Sequence, residues 1–354
     1  MAKRVPKLPH DGGRRRIRRH FGAASNYGQD FTLYLPNHQQ PMSAGEFLRH
    51  FRFTRADIPR LRRALRVPAV VYPGDGCRID GEEALLIFLK RMAYACRWVD
   101  LEFFFGRCEG YLSTVCSAVL DIIYPFAYHL LREFDHRSMR KWAHTFAKAF
   151  RDVGCPIHNM VGCIDGTFRE FCRPSIGGYA GPAQRRQYSG HHGGHGNNHQ
   201  GVETPDGIIR EMHGPFNGPT NDKRMLRESG ILQRMARFLA GFCLFGDKGY
   251  HLHNIALQTM IAGDPRNLTA DELAFNDFMS KMRIAVEWSF GNVVQNWAFV
   301  DFYKNQKLHK QPVAKYWFVA VLLTNCHSCL FSNQTSMYFG VPTSDLEDYL
   351  AGAY

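Results

Sequence analysis

No uninterrupted apolar run in this sequence reaches the ~20 residues that a membrane-crossing helix needs. The two best candidates are broken, one by Asp121 and Pro125, the other by Asn325 and His327. A membrane protein is therefore not expected. No apolar stretch follows the basic start, so no secretory leader is expected either. The ten cysteines are scattered, and without a leader they are expected as reduced thiols inside a cell. Repeats at solenoid spacing are lacking, which argues against a stacked-repeat architecture. Acidic side chains are in deficit, 32 against 44 basic ones, for a formal net charge of +12. That balance says nothing of fold but points to a polyanionic partner.

What is present is enough apolar material for a substantial core, 45% of 354 residues, with two regions of different texture. Residues 1–45 lack periodicity and are expected as a disordered basic tail. Lys3, Arg4, Lys7, Arg14, Arg15, Arg16, Arg18 and Arg19 stand there against Asp11, so +7 of the net charge lies in the first 20 residues. A nuclear address, an arm along phosphates and a solvated terminus all remain open for it.

From 46 to 152 the spacing is helical. A helix is predicted from Thr54, with Ile58, Leu61 and Leu65 on one face and Arg60, Arg62, Arg63 and Arg66 supplying a basic surface. Glu82 to Met92 and Val99 to Phe105 follow, then a longer helix from Gly110 toward Pro125. A short helix, a tight turn and a longer helix opening with Glu109, Tyr111, Ser113 and Thr114 match a helix-turn-helix, and match a plain bundle as well. His136 to Arg151 is one more basic helix.

Near 155 the texture changes. Met160 to Ile164 and Phe242 to Phe245 read as short buried strands, each ending at an Asp-Gly or Gly-Asp turn. Between them lie a Gly- and His-rich loop (177–198), a hairpin turning at Pro205-Asp206-Gly207, and a helix from Asn221 or Asp222 to Leu239. Helices over Glu272–Gln295 and Lys315–Leu330 complete the pattern, and 333–354 is expected as a C-terminal tail. Strands interleaved with helices give an α/β class.

Asp165 and Asp247 each stand just past a strand-like run, where neighbouring strands of an α/β sheet share one crevice. Glu287 is the third candidate acid. Asn276, Ser280, Arg283 and Glu287 form one helical stripe between apolar flanks, as a cleft wall would. Three such carboxylates offer oxygen ligands to hard cations, and a pair of cations about 3.5–4 Å apart can clamp both oxygens of a phosphodiester exchange. The plainer reading is an Arg283–Glu287 helix pair.

Six short motifs occur in series: Cys163-Ile164-Asp165-Gly166-Thr167, Tyr188-Ser189-Gly190-His191, Pro205-Asp206-Gly207, Gly218-Pro219-Thr220-Asn221-Asp222, Gly246-Asp247-Lys248-Gly249-Tyr250 and Arg283-Ile284-Ala285-Val286-Glu287. This order resembles the DDE endonuclease domain of PIF/Harbinger-type transposases and their domesticated nuclease relatives. The resemblance implies an RNase H-like mixed sheet with flanking helices over 155–332, preceded by an all-α, helix-turn-helix-like DNA-binding region. It implies a catalytic triad of Asp165, Asp247 and Glu287 binding two Mg²⁺ or Mn²⁺ ions, with Asp222 in support or merely capping its helix. It implies cleavage at element ends of double-stranded DNA, then 3′-hydroxyl transfer into target DNA, in the nucleus. A Myb-like accessory protein and a homo-oligomer are the implied partners. Phe168 departs from the family pattern, which usually has His after Asp-Gly-Thr.

The retained acids favour an enzyme over a non-catalytic DNA-binding regulator descended from one. Arg185, Arg186, Lys223, Arg224 and Lys248 lie near the proposed acids in sequence and are candidates for phosphate contacts. His191, His192, His195 and His199 have spacings that could suit zinc, but no cysteine pair accompanies them. Cys326-His327-Ser328-Cys329 lies in an apolar helix and reads as packing.

Overall fold

The N-terminal half is largely helical, as its spacing requires. In the computed structural model, residues 42–74, 76–132, 136–174, 180–250, 256–308 and 310–351 are described. Helix α1 (Ala44–Phe51) opens with a Ser43–Glu46 capping box. Helix α2 (Asp57–Ala64) buries Ile58 and Leu61. A small antiparallel pair, β1 (Val70–Gly74) and β2 (Cys77–Asp80), precedes α3 (Gly81–Ala93), which Asp80 caps. Then come α4 (Trp98–Phe105), α5 (Glu109–Arg132) and α6 (His136–Asp152).

Three expectations change in this half. The region is not all-α, because Val70–Gly74 and Cys77–Asp80 pair as antiparallel strands in place of the bare Pro/Gly break expected there. Helix α5 runs straight through Pro125, because the proline lies on the exposed side, where water can serve the carbonyl it frees. At that length α5 alone among the described residues is long and apolar enough to cross a membrane by composition. One face of it buries Leu112, Val115, Val119, Ile123 and Leu131 against its neighbours, while Asp121 pairs with Lys315 (2.7 Å). The basic face of α2 is also partly used up internally: Arg60 pairs with Glu347, Arg62 with Glu82 (3.7 Å), and Arg66 stacks over Phe126. The basic tail over 1–41 lies outside the described residues.

The second half is built on one mixed sheet. Its strands are β3 (Met160–Glu170), β4 (Tyr188–Ser189, after helix α7, Ala180–Gln187), β5 (Gly194–Glu203) and β6 (Ile209–Asn217). Helices α8 (Asp222–Ser229) and α9 (Ile231–Phe238) lead to β7 (Cys243–Gly246) and β8 (Leu257–Thr259). Strand β3 is central: β5 pairs with it antiparallel and β7 parallel, with β6 beyond β5 and β8 beyond β7. Helices α10 (Ala270–Asn296), α11 (Val313–Phe331), α12 (Gln334–Phe339) and α13 (Leu346–Ala351) flank it. This is the expected α/β architecture with an RNase H-like sheet.

Three local expectations are corrected here. Strand β5 begins at Gly194, inside the stretch expected as loop to 198, because eight β3 residues pair with it from Cys163 to Glu170. The single helix expected to Leu239 is two, broken at Gly230, whose left-handed φ of 65° ends α8. The expected C-terminal tail is helical and buries Phe339, Leu346, Tyr349 and Leu350. One continuous hydrophobic cluster runs from Met42 to Leu350, so the helical half and the sheet share a core.

Polar groups fasten that core. Asn325 of α11 accepts from the Ile209 N–H (3.0 Å) and donates to the Ile209 carbonyl (2.9 Å), completing the edge of β6. Glu203, wholly buried at the end of β5, accepts a hydrogen bond from Ser289 of α10. Burial pushes its carboxyl up to about 8. A raised carboxyl binds more protons folded than unfolded, so its contribution falls as pH rises from its ordinary value, about 4.5, to about 8. Glu203→Gln is therefore expected to match wild type in thermal melts near pH 5 but to exceed it by a few kcal/mol near pH 9, at ~1.4 kcal/mol per unit. A stability difference independent of pH would contradict this.

Candidate active site

Asp165 does not end its strand, as the apolar run had implied; it sits in mid-β3, because pairing with β5 carries the strand on to Glu170. Its partner across that ladder is Gly201. On the other side β7 stops at Gly246, so β3 is uncovered from Asp165 onward on that flank. The parallel register aligns Cys163 with Phe245, which brings Asp165 and Asp247 to the same level two residues later. Each carboxylate is held by a glycine amide: Gly166 N–H donates to Asp165 Oδ1 (2.8 Å) and Gly249 N–H to Asp247 Oδ1 (2.8 Å).

A further acid joins them. Asn221, not Asp222, is the N-cap of α8, its side chain accepting from the Arg224 N–H (3.0 Å). The Asp222 carboxylate instead wedges between two glycines. A Cβ at Gly166 would stand 2.8 Å from Asp222 Oδ1, and one at Gly249 would stand 2.7 Å from Asp222 Oδ2 and 2.9 Å from Asp247 Oδ1. Asn198 of β5 fixes the approach to this helix by donating to the Gly218 (2.9 Å) and Thr220 (2.8 Å) carbonyls. Burial, with Asp247 and Asp165 close by, pushes the Asp222 carboxyl up to about 6. Burial raises Asp165 too, opposed by Arg283.

Helix α10 brings the other side of the cleft. A Thr269–Glu272 capping box starts it, and Asn276 clamps it to both backbone groups of Ile261 (2.8 and 3.0 Å). Ser289 binds Glu203, and Phe290 fills the space above Gly201. Between these anchors Arg283 reaches β3, donating to Asp165 Oδ2 (2.9 Å) and approaching Glu287 Oε1 (3.7 Å). Glu287 is thus on the same side of the sheet as Asp165 but meets it through Arg283, with 60% of its side chain exposed.

Among the described residues no three His, Cys, Asp or Glu side chains stand close enough together to hold a metal ion as they are. The chemistry of the donor set nevertheless fits a hard divalent cation: carboxylate oxygens only, gathered around one positive group. Asp165, Asp222 and Asp247 stand together beside Gly166 and Gly249, and Glu287 is linked to them only through Arg283.

The candidate phosphate contacts are all exposed. Arg185 and Arg186 end α7, Lys223 and Arg224 open α8, and Lys248 follows Asp247. A groove lined by Asn217, Thr220, Asn221, Lys223, Arg224 and Arg227 runs along the start of α8, where Asp222 also lies. Arg227 belongs to it, and Arg224 also pairs with Glu228 (2.6 Å). The histidines do not converge. His199 is fully buried against Trp317 and pushed down to about 3, while His192 stacks on Phe168 (4.2 Å between centroids). Phe168, the departure from the family pattern, therefore has a packing role of its own. Burial drives the Cys329 thiol up to about 12, as the packing reading of Cys326 to Cys329 requires.

A sheet of this order with acids clustered beside its central strand defines the RNase H-like class. Within that class, residues 164–325 match the family described as DDE superfamily endonuclease, which supports a DDE transposase family for this domain. The match spans Asp165, Asp222, Asp247 and Glu287. No curated protein and no solved structure matches the chain.

Proposed function

We propose that the chain is a metal-dependent DNA endonuclease of the transposase type, of the PIF/Harbinger kind, with Asp165, Asp247 and Glu287 as its metal-binding acids and Asp222 in support. The observation that carries the reading is the shared level of Asp165, on β3, and Asp247, one residue past the end of β7, with Asp222 wedged between Gly166 and Gly249. Divalent cations, Mg²⁺ or Mn²⁺ and two in number, would supply activation of water or a 3′-hydroxyl and stabilisation of the leaving oxygen. The chain's part is to hold the acids rigid through the Gly166 and Gly249 amides and to line up the scissile strand. Arg185, Arg186, Lys223, Arg224 and Lys248 would hold its phosphates from the rim.

The substrate is then double-stranded DNA, at element ends and in the target, in the nucleus. A second copy of the chain would process the second end, and a Myb-like accessory protein is the companion in keeping with the resemblance. Cleavage of terminal-repeat DNA by purified protein, with Mg²⁺ or Mn²⁺ against chelator, tests this: metal-dependent nicking is expected. The Arg283–Asp165 contact favours one other reading, a DNA-binding regulator that no longer cuts. Salt-sensitive duplex binding with no cleavage in either metal would select it.

A further inference from the structure

We propose that Arg283 is a built-in, displaceable counter-ion of the acidic site, and that a divalent cation enters only as this guanidinium releases Asp165. The inference rests on the metal-site reading above and adds a positioning role that the carboxylates alone do not define.

Geometry makes the case. Arg283 joins an acid of β3, at 2.9 Å, to an acid of α10, at 3.7 Å, so one cation ties together the two elements that a metal would have to bridge. Its charge is also felt from Asp247. Two carboxylates touch the guanidinium, Asp165 and Glu287, and Asp222 and Asp247 lie within range of its charge. Partly buried like charges repel strongly when nothing neutralises them, so a resident positive group keeps the metal-free site from splaying. The net charge of the cluster stays negative and continues to attract cations from solution.

Release must be mechanical. A guanidinium does not lose its proton in a protein, so Arg283 cannot be neutralised in place. One Asp165 Oδ2 lone pair accepts its N–H and is withheld from a metal, and the guanidinium charge held there repels an incoming cation. Cation binding and the Arg283–Asp165 bond are therefore competitors, and the apparent metal affinity is lowered by the strength of that bond. A strap with a purely structural role would affect folding but not this competition.

The test is Mn²⁺ binding to the full chain, followed by electron paramagnetic resonance titration, in wild type, Arg283→Met, Arg283→Lys and Asp165→Asn. Methionine removes the charge without adding an oxygen ligand. Arg283→Met is expected to bind Mn²⁺ about tenfold more tightly, the worth of one charge-assisted hydrogen bond. Arg283→Lys keeps the competing charge and is expected to stay within about threefold of wild type, which also guards against a misfolded methionine variant. Binding that depends on Asp165 but is unchanged or weakened in Arg283→Met overturns the counter-ion role and leaves the metal site standing. Mn²⁺ binding that is absent, or indifferent to Asp165→Asn, overturns the site itself and the inference with it.

Discussion

Asp165→Asn is expected to lower metal-dependent DNA cleavage by at least ~10³-fold in single-turnover assays, because several kcal/mol of charge stabilisation depend on the bound cations and each ~1.4 kcal/mol is a factor of ten. Asparagine preserves the volume and can still accept from the Gly166 N–H, so strand β3 should keep its register with β5 and β7. No other side chain can take over, since Asp165 is the acid fixed at the centre of the sheet. Duplex affinity should hold or improve slightly, as one negative charge leaves the cleft. A variant cutting within tenfold of wild type would remove Asp165 from the chemistry.

The second large effect concerns binding. Replacing Lys223, Arg224 and Arg227 together by alanine is expected to weaken duplex binding by roughly 30–100-fold at physiological salt and to flatten the slope of log affinity against log salt by about 2–3. These three line one groove along the start of α8, all exposed, and the buried side of that helix is Met225, Leu226 and Ser229. The fold should therefore survive the change. The effect of Arg224 is blunted by its pairing with Glu228 (2.6 Å), so the single variant at that position should be the mildest of the three. Fluorescence anisotropy across a salt series measures both quantities. An unchanged salt slope would mean that the DNA backbone runs elsewhere.

Much of this was legible from the chain alone, where short-range rules decide. Helical spacing from Glu272 announces α10, the turn at Pro205-Asp206-Gly207 announces the β5–β6 hairpin, and apolar runs before Asp165 and Asp247 announce β3 and β7. Where tertiary pairing overrules local preference, the reading fails. Gly194 to Asn198 look like loop but are zipped into strand by β3 and β4. Pro125 looks like a helix end, yet its exposed position makes it tolerable inside α5. The basic face of α2 looks available for phosphates, but Glu347, nearly three hundred residues away in sequence, takes Arg60.

The site shows the same division. Periodicity puts Arg283 and Glu287 on one stripe, which is a property of the helix alone. That Arg283 binds Asp165 of β3 depends on how α10 is anchored by Asn276, Ser289 and Phe290, whose distant partners no helical periodicity names. Asp222 is similar. The sequence left support of the acids and helix capping both open, and only the structure shows that Asn221 caps while Asp222 turns to the acids.

The central claim is that Asp165, Asp247 and Glu287 gather around shared divalent ions once Arg283 moves aside. Anomalous scattering from crystals grown with Mn²⁺ tests it most directly. The account predicts manganese peaks touching Asp165 and Asp247, with Glu287 turned toward them and the Arg283–Asp165 hydrogen bond broken. Saturating Mn²⁺ with no peak between these carboxylates, and Arg283 still bound to Asp165, would contradict it.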